Sequence, residues 1–280
     1  MNTSSQTYKE LAIPYFKESF DSIDKVMQEF NIPYYLIGVN AMALELLKEG
    51  IKPSRGTKDI DFAVMISSIK EYEQISRALE ANGFNKVAAP WTFYSETFKI
   101  AIDLLPFGEI EEKQTDNFNN RYTDLHVLGF REVLEETVPV FIDEKIANIP
   151  PLPGMVILKL IAWSDRPEER ENDLSDILKI IQHYYELKWD EIVEKHFDVL
   201  DKDPFDQLVI AAEVLGRNSK LYLKKSEAIA ARVLKVIETN LKNPTKSAIA
   251  KEWARILDKD IEYTFELLSA FQMGIMYESK

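Results

Sequence analysis

Residues 59–66 read Asp-Ile-Asp-Phe-Ala-Val-Met-Ile, and this stretch decides the fold. Side chains two positions apart on a β-strand point to the same face, so the stretch predicts a strand with Asp59 and Asp61 side by side and apolar residues on the other face. Adjacent carboxylates repel each other unless a cation lies between them, and Mg²⁺ prefers carboxylate oxygens together with water and phosphate. The pattern predicts a metal site on the acidic face.

A second strand pattern, Phe98–Leu105, places Asp103 on its polar face. If this strand neighbours the first one in the sheet, Asp103 completes a cluster of three carboxylates that can bind a metal ion or take a proton from an attacking hydroxyl. The alternative is that these aspartates lie on the solvent face of an antiparallel sheet and are balanced by nearby lysines or arginines. The sequence does not establish that the two strands are adjacent.

The first half of the chain alternates helical and strand patterns around these two segments. Hydrophobic spacing, Gly, Pro and capping residues predict the following elements: a helix over Tyr8–Phe30, a strand over Tyr34–Ile37, a helix from Gly38 that ends at Gly50, a loop over Lys52–Lys58, a helix over Ile69–Ala81, a hairpin of Trp91–Tyr94 with Phe98–Leu105, and weaker strands at Asp124–Leu128 and Val138–Ile142.

The second half is predicted to be helical, because strand patterns nearly vanish after the Pro-rich segment Pro150–Gly154. We therefore expect an α+β fold with two domains, residues 1–150 carrying the sheet and residues 151–280 a helical domain. Helices are predicted near Asp203–Leu215, Ser226–Leu241, Lys246–Leu257 and Ile261–Met273.

Composition excludes several classes of protein. The 280 residues contain no cysteine, so a disulfide framework, a thiolate zinc site and a thiol nucleophile are excluded. A formal net charge of −13 opposes extended binding to a phosphate backbone, although a short RNA end or a nucleotide can still be held by local cations. No signal-peptide or membrane-span pattern is present, so we expect a cytoplasmic protein with no membrane partner.

Four segments resemble, in sequence order, the AbiEii/AbiGii-type toxin-like branch of the DNA polymerase β nucleotidyltransferase superfamily. They are YLIGVNAMAL, SRGTKDIDFAV, IAIDLLPFG and LKLIAWSDRPEERENDLSDI. The resemblance covers residues 30–185. It implies a nucleotidyltransferase-like mixed sheet with flanking helices, followed by a helical domain that contributes to the cleft. The implied activity moves a nucleoside monophosphate from a nucleoside triphosphate to a hydroxyl acceptor, with Mg²⁺ or Mn²⁺ as the cofactor.

The resemblance also implies roles for residues of the first domain. Asp59, Asp61 and Asp103 would bind metal and act in catalysis. The turn at Gly38 and Asn40, together with Arg55 and Thr57 in the loop before the acidic strand, would contact the nucleotide. Val39 departs from the family, which has Gly or Ser at this position. Gly38 alone is also compatible with an ordinary tight turn, and Arg55 with a surface ion pair.

In the second domain the resemblance implies that Lys159 helps to hold the triphosphate and acts in catalysis. Asp173 and Asp176 would contact the nucleotide, the metal or the Lys159 ammonium. Asn172 stands where the family has Arg. Acidic residues in the first turn of a helix also complement its dipole without any further function, so a structural role for both aspartates stays open.

The acceptor is left open by the resemblance, which allows an RNA end, a protein or a small hydroxylated molecule. A toxin of this type would have an antitoxin protein as its partner. The alternative from another class is a non-catalytic protein that binds a nucleotide or a partner through the same site, and Val39 and Asn172 favour it. The three histidines show no metal-binding spacing.

Overall fold

A computed structural model describes residues 6–53, 56–57, 59–89, 91–109 and 127–278. The chain divides into two compact units, Met1–Pro151 and Leu152–Lys280. Arg55 and residues 124–126 of the predicted strand Asp124–Leu128 lie outside the described residues. Residues 127–128 of that strand are described, and they lead into a helix without forming a strand.

The first unit is built on a five-stranded sheet in the described part of the chain. Its strands are β1 (Tyr34–Leu36), β2 (Asp59–Ile66), β3 (Asn85–Lys86), β4 (Thr92–Ser95) and β5 (Ile100–Gly108), in the spatial order β1-β2-β5-β4-β3. The central pair β2 and β5 is parallel, whereas the other neighbouring pairs are antiparallel. The sheet is therefore mixed, and the two strands that carry the aspartates are direct neighbours.

Helices and a second hairpin accompany this sheet: α1 (Phe16–Glu29), α2 (Gly38–Leu47), α3 (Ile69–Ala81), α4 (Phe130–Leu134), β6 (Val138–Ile142) and β7 (Lys145–Ile149). The apolar face of β2 is fully buried, as Ile60, Phe62 and Val64 show, and so is Ile102 of β5. The predictions for β2 and α3 are confirmed to the residue. The predicted hairpin of β4 and β5 is also present.

The prediction of one helix over Tyr8–Phe30 was wrong. A short 3-10 helix covers Thr7–Leu11, and α1 begins only at Phe16. Between them Ala12 and Tyr15 have positive φ angles of 54° and 57°, and Pro14 has no N–H to donate. The apolar periodicity of the sequence continues through this break, but the helical conformation of the backbone does not.

The second unit is helical throughout its regular structure in the described residues. Its helices are α5 (Leu152–Asp165), α6 (Glu171–Leu187), α7 (Trp189–Lys195), α8 (Gln207–Lys225), α9 (Glu227–Asn240), α10 (Ala248–Leu257) and α11 (Ile261–Met276). The prediction for α8 was wrong at both ends. Asp206 caps its start by accepting hydrogen bonds from Leu208 N and Val209 N, and the helix continues ten residues past Leu215. The α+β class, a mixed sheet with helices followed by a helical region, is confirmed.

Candidate metal centre

The register of β2 and β5 brings three carboxylates together. Asp61 lies directly opposite Asp103, and Asp59 lies two residues before Asp61 on the same face of β2. One carboxylate oxygen from each of the three aspartates can be chosen so that all three lie within 4.8 Å of one another. All three side chains are partly exposed to solvent. The adjacency of the two acidic strands, which the sequence left open, is therefore present.

The acidic cluster consists of Asp59, Asp61 and Asp103. Two threonine hydroxyls donate hydrogen bonds to its members. Thr57 Oγ1 donates to Asp59 Oδ1 from the loop before β2. Thr92 Oγ1 donates to Asp103 Oδ1 at 2.5 Å from the neighbouring strand β4. Each of these carboxylates thus accepts a hydrogen bond on one oxygen.

The N-terminus of α2 lies against the acidic cluster. Gly38, the first residue of the helix, has a φ of +70°, and a Cβ atom at this position would overlap the Asp61 carboxylate. Asn40 is buried and its side-chain amide donates to the Asp59 carbonyl oxygen at 2.9 Å. Ile37 N donates to the Asp61 carbonyl oxygen at 2.9 Å. These contacts fix the backbone that carries the two aspartates of β2.

The acidic cluster fits a hard divalent cation. Mg²⁺ binds oxygen ligands at roughly 2.0–2.1 Å, so opposite ligands of one ion are about 4.2 Å apart, and the larger Ca²⁺ allows about 5 Å. In the acidic cluster the three oxygens lie within 4.8 Å of one another, which is inside the range for Ca²⁺ and needs only a small adjustment for Mg²⁺. At an effective dielectric constant of 20, two unit charges 4.8 Å apart repel by about 3.5 kcal/mol, which a bound cation would offset.

The predicted residues of the second unit form one buried group. Lys159 Nζ lies 3.1 Å from Asp173 Oδ1 and 2.7 Å from Asp176 Oδ2, and Arg170 is 3.6 Å from Asp173 Oδ2. Burial by itself would lower the pKa of Lys159, but the charges of Asp173 and Asp176 outweigh it and hold that pKa above its ordinary value. Lys159 is therefore charged and joins α5 to α6.

Each unit thus contains a group of the predicted site residues. The first unit contains the acidic cluster with Thr57, Gly38 and Asn40 around it, and the second contains Lys159, Asp173 and Asp176. Sequence reasoning missed Thr92. The predicted hairpin of Trp91–Tyr94 with Phe98–Leu105 did not give its register, because in the structure Ser95 pairs with Ile100, and counting outward from that pair places Thr92 opposite Asp103.

Comparison with models of known protein families and with curated protein sequences gave no match. Among solved structures, an antigenic nucleotidyltransferase-like protein from Paracoccidioides brasiliensis is similar to this chain, with 12% sequence identity and a TM-score of 0.39. The similarity covers 82% of this chain and 93% of that protein. Identity and TM-score at this level do not transfer a function, so the function has to be argued from the site.

The described residues contain no helix that is both long and apolar enough to cross a lipid bilayer.

Proposed function

We propose that this protein is a metal-dependent nucleotidyltransferase that moves a nucleoside monophosphate from a nucleoside triphosphate to a hydroxyl acceptor. The observation that carries the proposal is the acidic cluster, three aspartates on two adjacent parallel strands with oxygens within 4.8 Å of one another. The glycine turn at the start of α2 lies against this cluster and further supports it. This combination is what the resemblance to the AbiEii/AbiGii-type branch implies.

In the proposed reaction Asp59, Asp61 and Asp103 would hold Mg²⁺ or Mn²⁺, and the ion would supply positive charge against the triphosphate and its transition state. Asp103 also accepts the proton of the attacking hydroxyl. A bond forms between the hydroxyl oxygen and the α-phosphorus, and the bond from that phosphorus to the departing pyrophosphate breaks. Such chemistry depends mainly on positioning and electrostatics, so the loss of one metal-binding aspartate should nearly abolish it.

The nucleotide contacts belong to the same proposal. Gly38 and Asn40 would place backbone N–H groups near phosphate, because the N-terminus of a helix favours anions. Thr57 would contact the nucleotide or orient Asp59, and its hydrogen bond to Asp59 supports the second role. Arg55 keeps its proposed role as a phosphate contact.

Lys159, Asp173 and Asp176 have two competing proposed roles, nucleotide binding and holding α5 on α6. Their mutual ion pairs support the structural role. Asp173→Asn separates the two, since it removes one charge and keeps the side-chain shape. A weakened nucleotide affinity with an unchanged melting temperature would support nucleotide binding. A lower melting temperature with unchanged affinity would leave only the structural role.

The acceptor is proposed at the level of its chemistry, a hydroxyl on an RNA end, a protein or a small molecule. The formal charge of −13 favours a small or locally held acceptor over a long nucleic acid. A toxin role with an antitoxin partner rests on the resemblance to the AbiEii/AbiGii-type branch. Co-expression with a neighbouring open reading frame, scored by relief of growth arrest, would test that role.

The experiment that tests the proposed function is calorimetric titration of each nucleoside triphosphate with and without Mg²⁺. We expect Mg²⁺-dependent binding to the parent protein and its loss in Asp59→Ala/Asp61→Ala. Labelled nucleotide would then identify the acceptor. Metal-independent binding retained by the variant would favour the alternative, a non-catalytic nucleotide-binding protein, and no binding by either would favour a partner-binding role.

A further inference from the structure

Thr92 and Asp103 form a cross-strand pair on the acidic face of the sheet. They are direct register partners in the antiparallel pair β4–β5, and Thr92 Oγ1 donates to Asp103 Oδ1 at 2.5 Å. This distance is at the short end of the range for a hydroxyl that donates to a carboxylate, about 2.5–2.7 Å, where hydrogen bonds are strong.

Side-chain branching and strand pairing restrict the position of the donor, the Thr92 hydroxyl. Thr92 is β-branched, which restricts rotation about χ1. The adjacent register pair, Phe93 with Ile102, is fully buried and fixes the two strands against each other. Strand pairing therefore places the backbone of Thr92 opposite Asp103, and the branched side chain leaves its hydroxyl few alternative rotamers.

We propose that Thr92 is a positioning residue that fixes the orientation of the Asp103 carboxylate. This inference rests on the proposed function, in which Asp103 binds metal and accepts a proton. Three like charges held within 4.8 Å tend to rotate away from one another, and the Thr92 hydroxyl opposes that movement at Asp103. Residues that do not touch a metal but form hydrogen bonds to its ligands typically contribute about 10–100-fold to metal affinity.

The competing explanation is that Thr92 only stabilises the sheet. Two substitutions separate these roles. Thr92→Val keeps the branched shape and the strand preference and removes only the hydroxyl donor, whereas Thr92→Ser keeps the donor and removes a methyl group. If Thr92 positions Asp103, the effect should appear in Thr92→Val, which lacks the hydroxyl. If Thr92 only stabilises the sheet, the effect should appear in Thr92→Ser, which lacks the branched shape.

The first measurement is Mn²⁺ affinity, by calorimetry, of the parent protein and of both variants. We expect Thr92→Val to weaken Mn²⁺ binding about tenfold or more and Thr92→Ser to stay within about threefold of the parent. Ser95→Ala is the matched control, because Ser95 lies on the same strand but its hydroxyl accepts from Phe98 N and touches no aspartate of the acidic cluster. Equal affinity in the parent and Thr92→Val would overturn the inference.

The second measurement is a crystal structure of Thr92→Val beside the parent, without added metal. We expect the Asp103 carboxylate to change rotamer or to occupy two conformers in the variant. An unmoved carboxylate would overturn the inference even if the parent binds Mn²⁺. If the parent binds no Mn²⁺, the metal-dependent function fails, and the crystal structures then decide the positioning role by themselves.

Discussion

Gly38 has two independent reasons to be glycine. Its φ of +70° lies in the left-handed region, which disfavours residues with a Cβ atom. A Cβ atom would also overlap the carboxylate of Asp61. Because of this close approach, α2 starts directly against the acidic cluster, and a side chain at position 38 would displace either the helix or the aspartate.

Gly38→Ala should therefore impair metal binding as well as stability. We expect Mn²⁺ affinity to fall about tenfold or more, since the Asp61 carboxylate has to move. Gly50→Ala is the matched control, because Gly50 has a similar φ of +77° and, among the described residues beyond its chain neighbours, no atom lies within 4 Å of an added Cβ. The control should lose about 1 kcal/mol of stability from backbone strain and keep its Mn²⁺ affinity. Equal Mn²⁺ affinities in the two variants would contradict the close contact.

Between the helices α5 and α6, the charged group of Lys159, Asp173 and Asp176 provides a buried connection. The side chain of Lys159 is 9% exposed and that of Asp176 only 3%. Buried ions are costly to separate, because removal of one partner leaves the others desolvated and without a counter-charge. Replacement of the whole group by apolar residues of similar volume avoids that cost.

Lys159→Met should reduce the free energy of unfolding by about 3–5 kcal/mol at pH 7. The triple variant Lys159→Met/Asp173→Leu/Asp176→Leu should recover most of this loss, measured by urea denaturation. Since pairing raises the pKa of Lys159 in the folded chain, the stabilisation is complete below the ordinary lysine value of about 10.4 and declines as pH rises through the folded pKa. A triple variant no more stable than the single one would argue against the ion pairs as the cause.

The crossing of α8 and α11 depends on two glycines. A Cβ atom on Gly216 would overlap the carbonyl oxygen of Phe271, and one on Gly274 would overlap that of Glu213. The two backbones therefore touch where the helices cross. In an unobstructed helix, a change from Gly to Ala stabilises by up to about 1 kcal/mol, so the overlap should reverse the sign of this effect.

We expect Gly216→Ala to lower the melting temperature of the protein. Overpacking at such a contact costs about 1–3 kcal/mol, because the two backbones must separate. Ser269→Ala on α11 is the control and should be nearly neutral, since among the described residues the Ser269 hydroxyl donates only to Phe265 O of its own helix. A rise in melting temperature for Gly216→Ala would show that the helices can separate without cost.

Local sequence patterns predicted the individual helices and strands far better than they predicted which strands are adjacent in the sheet. The alternation in β2 and the Ser68 cap of α3 are local, and both elements were predicted to the residue. The pairing of β2 with β5 brings together residues more than forty positions apart, and only the packing of the whole sheet decides it. The break at Pro14 and the position of Thr92 depend on backbone angles and register, which hydrophobic periodicity does not report.

Because the protein has a formal net charge of −13, its negative groups repel one another, and any added salt screens this repulsion and stabilises the fold. A stabilising effect of Mg²⁺ alone would therefore not distinguish a specific site from general screening. The acidic cluster provides the distinction, because a cation bound to folded protein stabilises it by mass action, about 2.7 kcal/mol at one hundred times the dissociation constant. Screening depends on ionic strength, whereas specific binding depends on the identity of the cation.

We expect MgCl₂ to raise the melting temperature of the parent protein more than NaCl does at equal ionic strength. Each kcal/mol corresponds to about 2–4 °C for a chain of this size class. In Asp61→Asn the apo protein should be as stable as the parent or more stable, because one carboxylate repulsion is removed, and the extra effect of Mg²⁺ should disappear. The effect of NaCl should stay the same in both proteins. An equal gain from the two salts in the parent, or an Mg²⁺ gain that persists in Asp61→Asn, would place the stabilising cations elsewhere on the acidic surface.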